Sequence, residues 1–151
     1  MDVTFPELTE PDRTGHLLDD VETVISSLAE PDSAQVSHVD QGCIWRFRYG
    51  TAEVYVQMTG TTTEDRFTVW ARVLKLPVQQ PLALYQQLLE WNWATTLEAR
   101  FALLNQEVVV VGTRSVQDLD PSEIARLITV VASLADQYDE ELQTRFPALN
   151  G

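Results

Sequence analysis

Residues 81–105, PLALYQQLLEWNWATTLEARFALLN, are the stretch on which the fold turns. They read as a helix opened by Pro81, a break at Ala94-Thr95-Thr96, and a strand over Leu97–Leu104. At about 100° per residue, Leu82, Tyr85, Leu89 and Trp93 fall on one side of the helix, with Asn92 at its edge. Leu84, Leu88 and Trp91 fall on an adjoining side. Together they span roughly 200° of the circumference, wider than the stripe by which a surface helix docks on a core. Gln86, Gln87, Glu90 and Ala83 take what is left. One apolar side packs on the protein's own sheet. The other must be covered too, or it stands as an exposed apolar patch. A domain of 151 residues hides one such helix but seldom both of its sides. The helix is therefore either buried wholly in its own core or shared with a second copy. The shared reading puts Leu82, Leu84, Tyr85, Leu88, Trp91 and Phe101 in a dimer contact.

Working back from this stretch, alternating segments come first. In Val36–Gly50, Cys43, Trp45, Phe47 and Tyr49 alternate with Ile44, Arg46 and Arg48, the period of a half-buried strand. Thr51–Met58 sets Ala52, Val54, Val56 and Met58 against Thr51, Glu53, Tyr55 and Gln57, and the turn at Gly50 makes the two runs a hairpin. After a polar loop at Gly60–Glu64, Arg66–Leu76 places Phe67, Val69, Ala71 and Val73 on one face and Thr68, Trp70, Arg72 and Leu74 on the other. Before the strands, Leu17, Leu18, Val21, Val24, Ile25 and Leu28 recur at helical spacing from Thr14 to Ala29, and Pro31-Asp32 ends that helix.

Working forward, Glu107–Thr113 is a last strand. Its run Val108-Val109-Val110-Val111 has no polar alternation and reads as central or covered on both faces. Asp120-Pro121-Ser122-Glu123 is a capping box with proline at the first helical position. The helix it opens runs with Ile124, Leu127, Ile128, Val131, Leu134, Ala135, Tyr138 and Leu142 on one side to about Phe146. The order is helix, three strands, helix, two strands, helix: an α+β fold, one antiparallel sheet with helices mainly on one face. We expect a flexible acidic arm over residues 1–12, a single domain over 13–147 and a tail over 148–151.

The composition, 44% apolar and 22% charged, is that of a globular chain. No run approaches the roughly 20 apolar residues of a membrane span, and the acidic MDVTFPELTEPDR start lacks the apolar core of a signal peptide. A cytoplasmic location is the expectation. The net charge is −13, but it is unevenly spread. Residues 1–40 and 115–151 hold the acidic excess, whereas 41–114 carry Arg46, Arg48, Arg66, Arg72, Lys75, Arg100 and Arg114 against six acids. An acidic total argues against nucleic acid and anionic membrane as partners.

Few residues suggest reaction chemistry. His16 and His38 sit at no zinc spacing from each other or from Cys43, and read as surface residues. Cys43, among Ile44, Trp45 and Phe47, reads as a buried, inert thiol. Asp136, Asp139 and Glu140 could face a cation together but read as a solvated acidic helix face. Ser37-His38 and Asp40 are too close in sequence to form a triad. The six glycines form no phosphate loop. No catalytic residue, cofactor or metal ligand is assigned.

The element order, the segment LLEWNWATTLEARFALLN and the tail VASLADQYDEEL resemble the YbjN-like proteins in their cyanobacterial form. These are in turn similar in fold to type III secretion chaperones. The resemblance implies an α+β fold with one antiparallel sheet and frequently a homodimer. In the chaperones the contact is made by the middle helix and the strand after it, here Leu82–Leu104. Members of the family are described as signalling regulators.

The best binding surface legible in the sequence is the sheet face turned away from the helices. Strand parity puts Arg46, Arg48, Tyr55, Trp70, Arg72 and Arg100 there, with Glu53 and Gln57. Arginine with tyrosine and tryptophan is the composition of an interaction surface. The same residues would also make an ordinary solvated face knit by cross-strand pairs. The function expected is a non-enzymatic, dimeric, chaperone-like or regulatory module holding a segment of a partner polypeptide. The alternative is a small-molecule sensor or small enzyme with a pocket between sheet and helices, near Trp45, Trp91 and Trp93.

Overall fold

The computed structural model describes residues 6–39 and 42–150. It has three helices and one six-stranded antiparallel sheet: α1 (Pro6–Leu28), β1 (Gln35–Val39), β2 (Gly42–Tyr49), β3 (Ala52–Met58), β4 (Arg66–Lys75), α2 (Pro81–Ala94), β5 (Arg100–Leu104), β6 (Glu107–Ser115) and α3 (Pro121–Arg145). The sheet order is β1-β2-β3-β4-β6-β5, so β1 and β5 are its edges.

Two elements differ from expectation. The first helix begins at Pro6 rather than Thr14, so the stretch expected as an arm is helical from there. Proline suits a first helical position, and reading Pro6 as a loop signal concealed this. Residues 1–5 lie outside the described residues. The segment expected as one strand over Val36–Gly50 is two strands, β1 folding back on β2 with Val36 opposite Trp45 and His38 opposite Cys43. Gly42 starts β2 with φ at +99° and lies so close to the Met58 carbonyl that a Cβ would collide with it. Only glycine takes that conformation there without strain.

Alternation decides what each strand buries. Trp45, Phe47, Val54, Val56, Met58, Phe67, Val69, Ala71, Val108 and Val110 make the inner face. Onto it α3 lays Ile124, Leu127, Ile128, Val131, Ala135 and Leu142, while α1 adds Leu17, Val21 and Ile25. Gly112 of β6 touches Leu127, where a methyl would clash. The capping box of α3 forms as expected: the Asp120 carboxylate accepts the Glu123 N–H at 2.9 Å, and the Glu123 carboxylate accepts the Asp120 N–H at 3.1 Å. β6 is interior to the sheet, and Val109 is buried even on the outer face, as its unbroken valine run implied. In β4 a register shift between Arg72 and Leu74 buries Leu74, which parity alone had put outside.

Candidate interaction surfaces

Helix α2 sits beside β5 at one edge of the sheet. Its two apolar sides differ in exposure. Leu84 and Leu88 are 0% and 5% exposed, in the protein's own core. Trp91 is half-buried and packs on Tyr138 at 4.5 Å and Phe101 at 5.6 Å between ring centres, with the Arg145 guanidinium over its ring. Phe101 is buried and Tyr85 partly so. Of the six residues expected in a dimer contact, Leu82 alone is largely exposed, at 81%. The solvent side of α2 is instead Leu82, Leu89 at 69% and Trp93 at 93%, continued by Leu97. The width of the apolar arc was correct. Leu84 and Leu88 are buried in the core, and Trp91 and Phe101 pack on Tyr138 of α3.

Asn92, read only as a residue at the edge of an apolar side, has a distinct task. Its carbonyl oxygen accepts the Phe101 N–H at 2.7 Å, and its amide donates to the Phe101 carbonyl at 3.2 Å. Phe101 is one of the residues of β5 whose backbone groups point away from β6. A side chain thus takes the place of a seventh strand at that position of the edge. The signal available in the sequence was a polar amide inside an apolar helix, which must find partners when it is covered. At the other edge, β1 is exposed along its whole length and carries no charged side chain.

The carboxylates Asp136, Asp139 and Glu140 are not one solvated face. Asp139 is buried, and its carboxylate lies 2.7 Å from the Thr51 hydroxyl. Asp136 accepts the Thr51 N–H at 2.9 Å. Together they pin the β2–β3 turn to α3, and Glu140 stays exposed. Cys43 is half-buried rather than buried, with its sulfur 3.3 Å from His38 Nδ1. Burial, with a smaller contribution from the Glu22 carboxylate, pushes its thiol above the ordinary value, away from the thiolate a nucleophile needs. His38 is exposed, as expected; the His16 side chain and Asp40 lie outside the described residues.

The three tryptophans of the alternative pocket do not converge. Trp45 is buried and donates to Glu22 at 3.2 Å, Trp91 belongs to the aromatic cluster above, and Trp93 faces solvent. Between sheet and helices the space holds apolar side chains. The buried polar residues among those described, Thr96 and Asp139, are hydrogen-bonded.

The outer sheet face gathers the six residues assigned to it. Arg46, Tyr55, Trp70, Val111 and Arg100 stand opposite one another across five strands in a single row. Tyr55 and Trp70 stack nearly parallel, 11° apart with centres at 5.3 Å, and the Arg72 guanidinium lies over Tyr55 at 5.1 Å. Part of the face is knit to itself, as a solvated face would be. Arg46 pairs with Glu53 at 3.4 Å and bonds Gln35, Arg72 pairs with Glu107 at 3.2 Å, and the Tyr55 hydroxyl donates to Glu53 at 2.9 Å. Partial burial, then the Glu53 hydrogen bond and charge, raise the Tyr55 phenol above its ordinary value, with Arg72 opposing. Arg48 and Arg100 are exposed and form no ion pair with any described residue. Beside Trp70, a shallow apolar groove of about 360 Å³ runs toward β5, lined by Gln57, Thr68, Leu104, Val109 and Val111.

The architecture is that of the type III secretion chaperones. One similar chain is in the "Crystal Structure of the ExsC-ExsE Complex": 12% identical, TM-score 0.61, covering 84% of this chain and 93% of that one. Another is the Yersinia pestis type III secretion chaperone SycH, in complex with a stable fragment of YscM2. It is 14% identical with a TM-score of 0.51, covering 79% of this chain and 96% of that one. At these identities the likeness is one of fold. No curated protein sequence matches the chain. Over residues 17–144 it matches the model of a family described as "YbjN: Putative bacterial sensory transduction regulator"; the chain belongs to the YbjN family.

Proposed function

We propose that this protein is a non-enzymatic, homodimeric binding module that holds a segment of a partner polypeptide on its outer sheet face, in a chaperone-like or regulatory role. The observation that carries the reading is the cationic and aromatic surface left open on that face in an otherwise acidic chain. Arg46, Arg48, Arg66, Arg72, Lys75 and Arg100 stand there against Glu53 and Glu107, six positive charges less two negative giving +4, whereas the whole chain carries −13. Such segregation attracts acidic partners to one side of the molecule and repels them from the rest. Support also comes from the structural neighbours, each crystallised in a complex with another polypeptide, ExsE or the YscM2 fragment.

The second copy is assigned to the solvent side of α2. Leu82 and Leu89 are seven residues apart and Trp93 four further on, the spacing of a helix–helix seam. The helix carries one charge, Glu90, so two strongly acidic copies meet there with little repulsion.

The test is retention of polypeptides from lysate by the wild type and by the triple variant Arg48→Ala/Trp70→Ala/Arg100→Ala, beside a screen of small molecules by thermal melting. The expected result is one or a few retained polypeptides that the variant loses. A large melting shift with a small molecule and no retained polypeptide would contradict the reading and favour a ligand sensor.

A further inference from the structure

The outer face carries more than a preference for acidic partners. Of the outer-face cations that form no ion pair with a described residue, Arg66 and Lys75 stand at the two ends of β4, while Arg48 and Arg100 lie nearest the Tyr55–Trp70 row, on β2 and β5, with β3, β4 and β6 between these two. Four strand spacings of about 4.8 Å, with a two-residue offset along the strands, separate them by about 20 Å. An extended polypeptide rises about 3.4 Å per residue. A segment crossing the strands from one arginine to the other therefore spends about six residues on the way. Midway it passes over the Tyr55–Trp70 stack and the apolar groove beside Trp70.

We propose, building on the function assigned above, that the outer face is a ruler for an acidic polypeptide segment. It takes two carboxylate side chains about six residues apart in an extended chain, with an apolar or aromatic side chain between them seated in the groove beside Trp70. The carboxylates meet Arg48 and Arg100, whose guanidinium groups form two-pronged hydrogen bonds with such groups. Arg46 and Arg72 are held by Glu53 and Glu107 and hold the platform's shape.

The occupant is a polypeptide rather than a single-stranded nucleic acid, although both are anionic. Single-strand binders offer free aromatic faces to the bases. Here Tyr55 and Trp70 are stacked on each other, and Arg72 lies over Tyr55. A net charge of −13 also opposes a phosphate chain, which repels at every step rather than at two chosen positions.

The experiment titrates the full-length protein with fluorescent ten-residue peptides. Each holds two glutamates separated by three, six or nine positions, a central phenylalanine and otherwise serine and threonine. Oligouridylate is the competing probe. The six-position peptide binds roughly tenfold tighter than the other two, and Arg48→Ala or Arg100→Ala abolishes that preference without changing the circular dichroism. Trp70→Ala weakens all three peptides alike. Equal affinity at every spacing would overturn the ruler and leave polypeptide binding on this face standing. Failure of every peptide to bind, or binding of oligouridylate in their place, would overturn both.

Discussion

The solvent side of α2 and the outer face of the sheet are both open surfaces, yet they are opposites in chemistry. The first is three large apolar side chains on a helix with one charge, continued by Leu97 beyond its end. The second is a row of arginines around a stacked aromatic pair. An apolar, uncharged surface gains by excluding water and suits a partner like itself. A cationic, aromatic surface selects by charge and shape. The difference teaches that this fold keeps an apolar surface and a cationic one apart, one at the β5 end and the other across the sheet, and the proposed function gives self-association to the first and partner recognition to the second.

The largest effect separates the two sides of α2. Leu84→Ala opens a cavity in the core and costs about 2–5 kcal/mol by chemical denaturation. Leu89→Glu with Trp93→Glu leaves the fold intact and halves the sedimentation mass. A native mass for that double variant would remove the helix as the dimer contact, and a stable Leu84→Ala would contradict its burial.

Next in size is the seal on β5. Asn92→Ala leaves two backbone groups of Phe101 without their partner and costs about 1–3 kcal/mol. It also lets the β5 edge associate, seen as concentration-dependent higher oligomers. If the variant melts as the wild type does, the seal contributes nothing.

The smallest effect comes from two hydrogen-bonded carboxylates in loops. Thr62 and Thr59 hydrogen bonds hold the Asp65 carboxyl below the ordinary value of 3.8, and Ser122 and the Glu123 N–H do the same for Asp120. A carboxyl depressed in the folded state contributes its full stability above the unfolded value and loses it as pH falls through the folded one. Melting temperature therefore drops modestly below about pH 4, and Asp65→Asn with Asp120→Asn flattens that drop. An unchanged acid limb in the double variant would contradict the assignment.

How much of this was legible in the sequence follows from what periodicity reports. It gives the angle at which side chains leave an element, so the strand faces, the hairpin at Gly50 and the capping box at Asp120 could be read directly. It does not say what stands opposite. Leu84 and Leu89 are equally apolar, and only the docking of α2 in the fold settles which turns inward. The row Arg46–Tyr55–Trp70–Arg100 was legible as a face, since parity sufficed. Its order across the strands was not, because that required knowing that β6 lies between β4 and β5. Asn92 and Asp139 were misread for the same reason. Each is a polar residue on the covered side of a helix, and its partner, Phe101 or Thr51, appears only once the elements are docked.

The four tryptophans report on separate regions: Trp45 in the core, Trp91 in the aromatic cluster, Trp93 on the solvent side of α2, and Trp70 on the outer sheet face. The most direct test of the account is a nuclear magnetic resonance titration of labelled protein with the acidic peptide, read at the four indole N–H signals. The account predicts that the Trp70 signal moves and the other three stay in place. Movement of Trp93 or Trp45 with Trp70 unmoved would place the partner elsewhere and contradict it.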